Sequence, residues 1–312
     1  MRDRTKERFD RDYDIQILSP TGQLFNIKPP FSMNAQITRN TLASANKCSL
    51  TIYNLSPETR AQLYKDRYAL TQYWQIIIRA GYTGGYIHYG FNARKQFLLP
   101  LVFQGNIYEC YSQKNGNNWE TTFDCFDGGF GIQNGVTAQS FTAGTDLKTM
   151  LTGVINDMPY ILTGIIGSSF TGSAQRGKVL FGQSSEIMSQ ETNNNWFVDN
   201  EKINILNDNE VISTDVILLD KSRLKTTPKR RETFLDCDCM FFPEAEVGKI
   251  CQLYSVNDIG TFPLAGDPYR RLMYGQYKIM GITHNINISG ADCGESTTTL
   301  ALYYGAEGLK VG

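Results

Sequence analysis

The chain has 312 residues, a net charge of −1 and a hydrophobic content of 41%. That length is enough for two or three domains, each with a core of its own. The near-zero charge excludes the strong positive field that non-specific binding to nucleic acid or to an anionic membrane needs, and no run of about 18 apolar residues predicts a transmembrane helix.

The first part of the chain predicts antiparallel strands, because β-branched and aromatic residues alternate with polar ones. The predicted strands are Tyr13–Ile17, Gln23–Lys28, Phe31–Thr38, Lys47–Tyr53, Gln75–Ala80, Leu101–Tyr111 and Trp119–Phe126. Asn115-Gly116 predicts a hairpin turn between the last two, since both residues tolerate a positive φ. Ser56 as N-cap and Pro57 at the first helical position predict a short helix over Pro57–Asp66.

The middle of the chain predicts mixed α/β structure. Leu147 to Met158 carries an apolar stripe at helical spacing, with Thr145 as the expected N-cap and Pro159 as the stop. Three elements are predicted after it: a loop passing into a strand over Gly164–Gly182, a second helix over Ser184–Thr192, and a hairpin joining Trp196–Val198 to Lys202–Leu206.

The last part returns to β structure. A strand over Glu210–Leu219 is followed by a basic loop, Asp220–Arg231, for which a solvated surface is the ordinary interpretation. The final predicted strands are Thr233–Phe242, Val247–Tyr254, Gln276–Ile288 and Ser296–Tyr304. The loop Asn257–Tyr274 is long enough to become ordered on a partner.

These elements predict a mainly β fold with a mixed α/β insertion. We divide the chain into an N-terminal arm over residues 1–10, a first β domain over 11–135, the insertion over 136–229, and a second β domain over 230–312. Open sheets of this size leave long unpaired edges, so we expect each β domain to close as a barrel or to pair with a neighbour.

The seven cysteines are spread through predicted strands, and the charged N-terminus is not a secretory signal. We therefore interpret them as small buried hydrophobes of a protein that folds in a reducing cytoplasm. Cys237 and Cys239 would share one face of a strand, but no second ligand pair at metal-site spacing accompanies them.

Catalytic motifs are absent from the sequence: it has no nucleophile elbow, no phosphate-binding glycine loop and no zinc-binding helix signature. Any histidine-based scheme must use His88 or His284. The acidic pairs Glu244/Glu246 and Asp124/Asp127 are of types that usually lie on the surface. We predict no enzymatic activity, no cofactor and no metal site.

A distributed set of segments, in order, resembles one known family. The segments that carry the resemblance are Ile52–Ser56, Ile76–Tyr82, Val102–Ile107, Phe123–Gly128, the helix start Thr145–Leu147, Trp196–Lys202, Leu224–Pro228, Val247–Ser255, Gly275–Ile279, Ile282–His284 and Thr299–Leu302. Together they resemble the baseplate hub proteins of bacteriophage tails, the superfamily that includes the VgrG spike base of type VI secretion. The resemblance covers roughly residues 45–305.

The resemblance implies a structural role. Family hubs are homotrimers in which each chain carries two tube-like β-barrel domains, so that three chains form a ring with pseudo-sixfold symmetry. Such a ring joins the hexameric tail tube to the trimeric spike and surrounds a channel for DNA passage. The implied partners are the tail tube protein, the spike protein, baseplate wedge or adjacent tail proteins and the tape-measure protein.

The implied location is the tail tip of the virion, assembled in the host bacterial cytoplasm without membrane insertion. No lysozyme-like domain or needle-forming repeat is seen in the sequence, so we expect the spike and any hydrolase to be separate chains. The expected partner-contact residues lie in two aromatic loops: Tyr82, Tyr86, His88, Tyr89, Phe91, Phe262 and Tyr269.

Three alternatives stay open at this point. A distal tail or tube-terminator protein would form a hexameric ring. A tail-associated cell-wall hydrolase would need His284 or a carboxylate, and a carbohydrate-binding receptor module would use the tyrosines of Tyr82–Tyr89.

Overall fold

The computed structural model describes residues 11–82, 99–226, 228–231, 234–254, 275–289, 294–303 and 309–312. The strands before residue 130 are β1 Arg11–Leu18, β2 Leu24–Ile27, β3 Met33–Asn40, β4 Asn46–Tyr53, β5 Gln75–Tyr82, β6 Leu101–Asn115 and β7 Asn118–Asp127. The strands after it are β8 Val136–Phe141, β9 Leu162–Ile166, β10 Lys178–Gln183, β11 Trp196–Asp199, β12 Lys202–Ile205, β13 Glu210–Val211, β14 Val216–Asp220, β15 Lys229–Arg231, β16 Phe234–Met240, β17 Ile250–Tyr254, β18 Gly275–Ile288, β19 Thr297–Tyr303 and β20 Lys310–Val311. The helices are α1 Pro57–Leu63, α2 Gly129–Asn134, α3 Leu147–Asn156 and α4 Ser184–Thr192, with a 3₁₀ turn at Lys221–Arg223.

Thirteen of the described strands form one sheet. Its main order is β15-β16-β19-β18-β3-β4-β7-β6-β5-β1-β2, and β17 pairs with β18 and with β14. We call β1–β7 the first β unit and β14–β19 the second β unit. The two units are joined edge to edge because β3 pairs with β18 over eight residues, from Asn40 opposite Gly281 to Met33 opposite Ile288.

The two β units contain two distinct apolar clusters, and the cluster of the first unit also includes Ile286 and Ile288 of β18. In the first unit Cys48, Leu50 and Ile52 of β4 are buried and the residues between them are not, which confirms the alternation expected from the sequence. In the second unit Cys237 and Cys239 pack with the buried leucines of β19. All six cysteines that the structure describes are buried and free of disulfides.

A third core lies in the insertion, among α3, α4 and strands β9–β12. The predicted stripe of α3 is buried at Met150, Leu151, Val154 and Ile155, and α4 has the predicted bounds. The N-cap prediction was wrong: Asp146 occupies that position, because the Thr145 hydroxyl instead donates to the carbonyl of Thr142 at 2.9 Å.

The helix α1 begins as predicted and ends three residues early. The Ser56 hydroxyl accepts the N–H of Thr59 at 3.1 Å, which is the expected N-cap bond. The helix stops at Leu63 because Lys65 exchanges backbone hydrogen bonds with Cys110 of β6. A cross-strand bridge of this kind depends on tertiary contacts, so helix-forming residues alone did not predict it.

Several short elements were missed. Strand β8 and helix α2 lie in a stretch for which no element is predicted, and β9 begins before the predicted loop Gly164–Gly182. Strand β20 was not predicted, and the predicted strand Glu210–Leu219 is two strands, β13 and β14. Each depends on pairing or packing with a distant segment; β13, for example, pairs with β20 at the other end of the chain.

The mainly β fold with a mixed α/β insertion is confirmed. Among the described residues the two β units are linked through β3 and β18, and no strand pair is recorded that closes either unit on itself. None of the described helices has the length and apolar character needed to cross a membrane.

Gly105 in β6 provides a test of how closely the first sheet is packed. A Cβ there would stand 2.5 Å from the carbonyl oxygen of Phe126 and 2.9 Å from the Cα of Asp127. We expect Gly105→Ala to lower the free energy of unfolding by about 2 kcal/mol or more, because backbone must move. The control Gly177→Ala, whose Cβ would be 3.6 Å from its nearest neighbour, should change it by less than about 0.5 kcal/mol. Equal urea midpoints for the two variants would contradict this packing.

Candidate functional site: a buried polar junction

The turn between β11 and β12 holds an unusual backbone conformation. Its two central residues are left-handed, Asn200 at φ 54° and Glu201 at φ 60°. Two such residues in succession suit a tight hairpin, whose twist they match. Asn tolerates this conformation, whereas a glutamate there costs of the order of 1 kcal/mol or more. Contacts around the turn must therefore stabilise it.

Asp127 supplies the first of these contacts. It ends β7, and its side chain is buried at the base of the turn. One carboxylate oxygen accepts the N–H of Asn200 at 2.6 Å, and the other accepts the N–H of Glu201 at 2.7 Å. The backbone N–H donors of both turn residues are thus satisfied by the first β unit.

The Glu201 side chain supplies the second set. Its carboxylate accepts hydrogen bonds from the Tyr73 hydroxyl and from the side-chain amides of Gln75 at 2.9 Å and Gln104 at 2.8 Å. Burial, followed by the nearby charge of Glu201, raises the pKa of Tyr73. The Tyr73 ring also stacks on Tyr160 at 3.8 Å between centroids.

An ion pair completes the junction. Arg39 of β3 is 1% exposed and Asp199 of β11 is 8% exposed. The Arg39 Nε donates to one oxygen of Asp199 at 2.8 Å and Nη2 donates to the other at 2.7 Å. This two-bond geometry is the strong form of an arginine–carboxylate pair. Asn46 adds a bond of 2.7 Å to the carbonyl of Val198.

The electrostatics of the junction centre on Asp127. Burial, followed by the charge of Asp199, raises the pKa of Asp127 to about 8, against the opposing effects of the two backbone N–H bonds and of Arg39. The junction is therefore a dense set of charges and hydrogen bonds that locks the insertion onto the first β unit. These contacts hold the β11–β12 hairpin in a fixed position against the first β unit.

The residues considered for catalysis are not brought together. His284 is fully buried, its Nδ1 lies 2.8 Å from the Thr298 hydroxyl, and burial, followed by the charge of Arg39, lowers its pKa to about 3. Asp124 and Asp127 lie on opposite faces of β7. His88 lies outside the described residues.

The carboxylates of the other acidic pair, Glu244 and Glu246, each form an ion pair with a different basic residue. Glu244 lies 3.4 Å from Arg223, and Glu246 lies 2.7 Å from Lys249. Both carboxylates are thus about half exposed and paired with basic side chains of their own surroundings.

Of the expected partner-contact residues, the structure describes one. Tyr82 is half-buried at the end of β5, and its hydroxyl donates to the carbonyl of Phe241 at 3.1 Å. The remaining ones lie outside the described residues: Tyr86, His88, Tyr89, Phe91, Phe262 and Tyr269. Their role as contacts stays a prediction.

The junction itself was not predicted. The sequence indicated a hairpin around Asp199-Asn200-Glu201, and Asp-Asn is a usual turn signal. Its partners Arg39, Asp127 and Tyr73 come from three distant segments, so no local pattern connects them.

Comparison with known families gives one match that spans most of the chain. The model of the family described as Baseplate hub gp41 matches residues 17–259. No curated protein matches the chain by sequence.

Solved structures share the fold. The 43 kDa tail protein of prophage MuSo2 from Shewanella oneidensis has 8% identity and a TM-score of 0.56, over 93% of this chain and 98% of that one. The tail protein from Neisseria meningitidis MC58 has 9% identity and a TM-score of 0.55, over 93% and 96%. The Escherichia coli c3393 protein, a type VI secretion component, has 8% identity and a TM-score of 0.52, over 90% and 76%.

The ion pair of the junction can be tested with a double-variant cycle. Arg39→Met and Asp199→Leu each leave a buried charge without its partner, so each should lower the free energy of unfolding by roughly 3–5 kcal/mol. The double variant should recover a large part of that loss, because both charges are gone. Urea unfolding of the four proteins measures this. Losses that simply add in the double variant would contradict a coupled pair.

The raised pKa of Asp127 predicts that the stability of the fold depends on pH. A carboxyl whose pKa is raised on folding stabilises the protein fully below its unfolded pKa of about 4. That contribution is lost as the pH rises through the folded value of about 8. We therefore expect the unfolding temperature to fall between these limits, and to fall less steeply in Asp127→Asn. That variant should start lower at pH 5, since its amide N–H₂ cannot accept from the turn.

The matched control is Asp124→Asn, on the opposite face of the same strand. It should keep the wild-type slope of unfolding temperature against pH. An identical slope in Asp127→Asn and the wild type would show that Asp127 does not titrate in this range.

Proposed function

The chain belongs to the baseplate hub gp41 family, and from that premise we propose that it forms a homotrimeric ring at the tip of a phage tail. The family makes it a structural protein of the tail. In the proposal, three chains join the hexameric tail tube to the trimeric spike and leave a central channel for DNA. The tail tube protein, the spike protein and adjacent baseplate or tape-measure proteins are its neighbours.

The observation that carries the proposal is the family match over residues 17–259. Fold likeness over 93% of the chain to two tail proteins supports it. Two β units with distinct apolar clusters, joined through β3 and β18, also support it. Three copies of such a chain would present six β units to a hexameric tube.

Surface chemistry supports assembly as well. The two-stranded ribbon β8–β10 turns Val179 and Phe181 outward, 74% and 80% exposed, beside the exposed Val136 of the partner strand. Exposed apolar ribbons of this kind are costly in water and are usually covered by another protein surface. In the proposal, a neighbouring copy covers this one.

We further propose that the chain has no catalytic activity, and that it assembles in the cytoplasm of the bacterial host. The family's structural description and the separation of the candidate catalytic residues support the first point. Cleavage of peptidoglycan by the purified protein would overturn it.

The ring can be tested by mass. Native mass spectrometry and sedimentation of the purified protein should give three times the 35.2 kDa chain mass. Six chains would instead support the tube-terminator alternative, and a monomer both in solution and in purified tails would overturn the proposal.

A surface variant tests the proposed contact. Phe181→Asp places a charge on the ribbon, so we expect it to weaken trimer association at least tenfold. The unfolding temperature of the dissociated chain should stay within a few degrees of the wild type, because the side chain is 80% exposed. Unchanged association would remove the ribbon from the proposed interface.

A further inference from the structure

A cavity of about 380 Å³ lies beside the junction, at a bulge of β6. The strand register shifts between Ile107 and Glu109, so that Tyr108 is the extra residue on β6. The segment after α1 crosses this point, and α2 closes the other side with Phe130. The volume falls in the range of small-ligand sites.

The walls of the cavity are aromatic. Tyr108, Phe126 and Phe130 line it, and the rings of Tyr108 and Phe126 meet edge to face at 5.6 Å. The Lys47 ammonium lies 5.6 Å from the centroid of the Phe126 ring, which adds positive charge near this wall. An apolar or aromatic group would fit between such walls.

Lys65 is the unusual residue of the cavity. It is only 6% exposed, although it lines an open space. Its ammonium donates to the carbonyl of Ile107, the last residue before the bulge. An ammonium has three donors, and this is the single acceptor recorded for it in the described part of the chain.

Among the residues that the structure describes, no carboxylate pairs with this charge. None of the described residues that line the cavity is acidic, and no ion pair of Lys65 is recorded among the described residues. Burial lowers the pKa of Lys65, and Cys125 is the one group that opposes the change. Arg67 at the same cavity adds a second cation. A buried lysine without a counter-ion is costly, and an anion would offset that cost.

We propose that this cavity binds a carboxylate attached to an apolar or aromatic group, with Lys65 as its counter-ion and Tyr108, Phe126 and Phe130 as its walls. Arg67 attracts the anion at the rim. The carboxylate belongs either to a free carboxylic acid or to an acidic side chain of a neighbouring chain, and the two sources can be separated by experiment.

Benzoate and benzamide are the probes, because they share shape and differ in charge. Calorimetric titration of the full-length protein should show that benzoate binds at least tenfold more tightly than benzamide. Lys65→Met should remove that difference, while Lys114→Met, at the exposed end of β6, should preserve it. Equal binding of the two probes to the wild type, or full benzoate binding by Lys65→Met, would overturn the proposal.

A second variant covers the case in which Lys65→Met fails to fold. Arg67 is exposed, so Arg67→Met should fold normally. It should weaken benzoate binding about threefold and leave benzamide unchanged. No change in benzoate binding would count against a cationic site.

The source of the carboxylate is tested in assembled tails. A photo-reactive phenylalanine analogue replaces Gln133, which is exposed and lines the cavity. A cross-link to another chain assigns the carboxylate to a protein neighbour. Benzoate binding without any such cross-link assigns it to a free carboxylic acid. Neither result depends on the number of chains in the ring, so a failure here is distinguishable from a failure of the trimer.

Discussion

The buried ion pair of Arg39 and Asp199 constrains how the parts of the chain are placed relative to one another. Arg39 lies on β3, which pairs with β4 of the first β unit and with β18 of the second. Its guanidinium reaches across to the β11–β12 hairpin of the insertion. The Arg39 side chain therefore lies where the first β unit, the second β unit and the insertion meet. The desolvation cost of two buried ions is high, so the pair stabilises only this one arrangement of the parts.

The surrounding hydrogen bonds follow from the same constraint. A turn with two left-handed residues would be weak in isolation, but Asp127 binds its backbone donors and Glu201 accepts from three side chains of the first β unit. Gly128 lets the hairpin approach: its φ is +70°, and a Cβ would stand 2.7 Å from Val198. The insertion is thus fixed to the sheet by these polar contacts and also by Phe197 and Leu206, which pack in the apolar core of the second β unit.

A fold held by apolar clusters and one polar junction is compatible with low sequence identity to solved structures that share the fold. Solved tail proteins share the fold at 8–9% identity. Apolar alternation can be met by many sequences, since volume and pattern matter more to a core than the individual side chain.

Local sequence patterns predict most of the long strands, α4, the buried face of α3 and the β11–β12 hairpin. Those features follow from periods of 2 and 3.6 residues and from turn chemistry, which are local. The sequence also carried the family resemblance, through ordered segments such as Val102–Ile107. Tertiary structure alone decided the early end of α1, the short strands β8, β9 and β20, the seam between β3 and β18, and the junction. In each case the deciding contact joins residues far apart in the chain, as Arg39 and Asp199 are. Local patterns do not identify the partner of a charged residue, because the two become neighbours only when the chain folds and buries them.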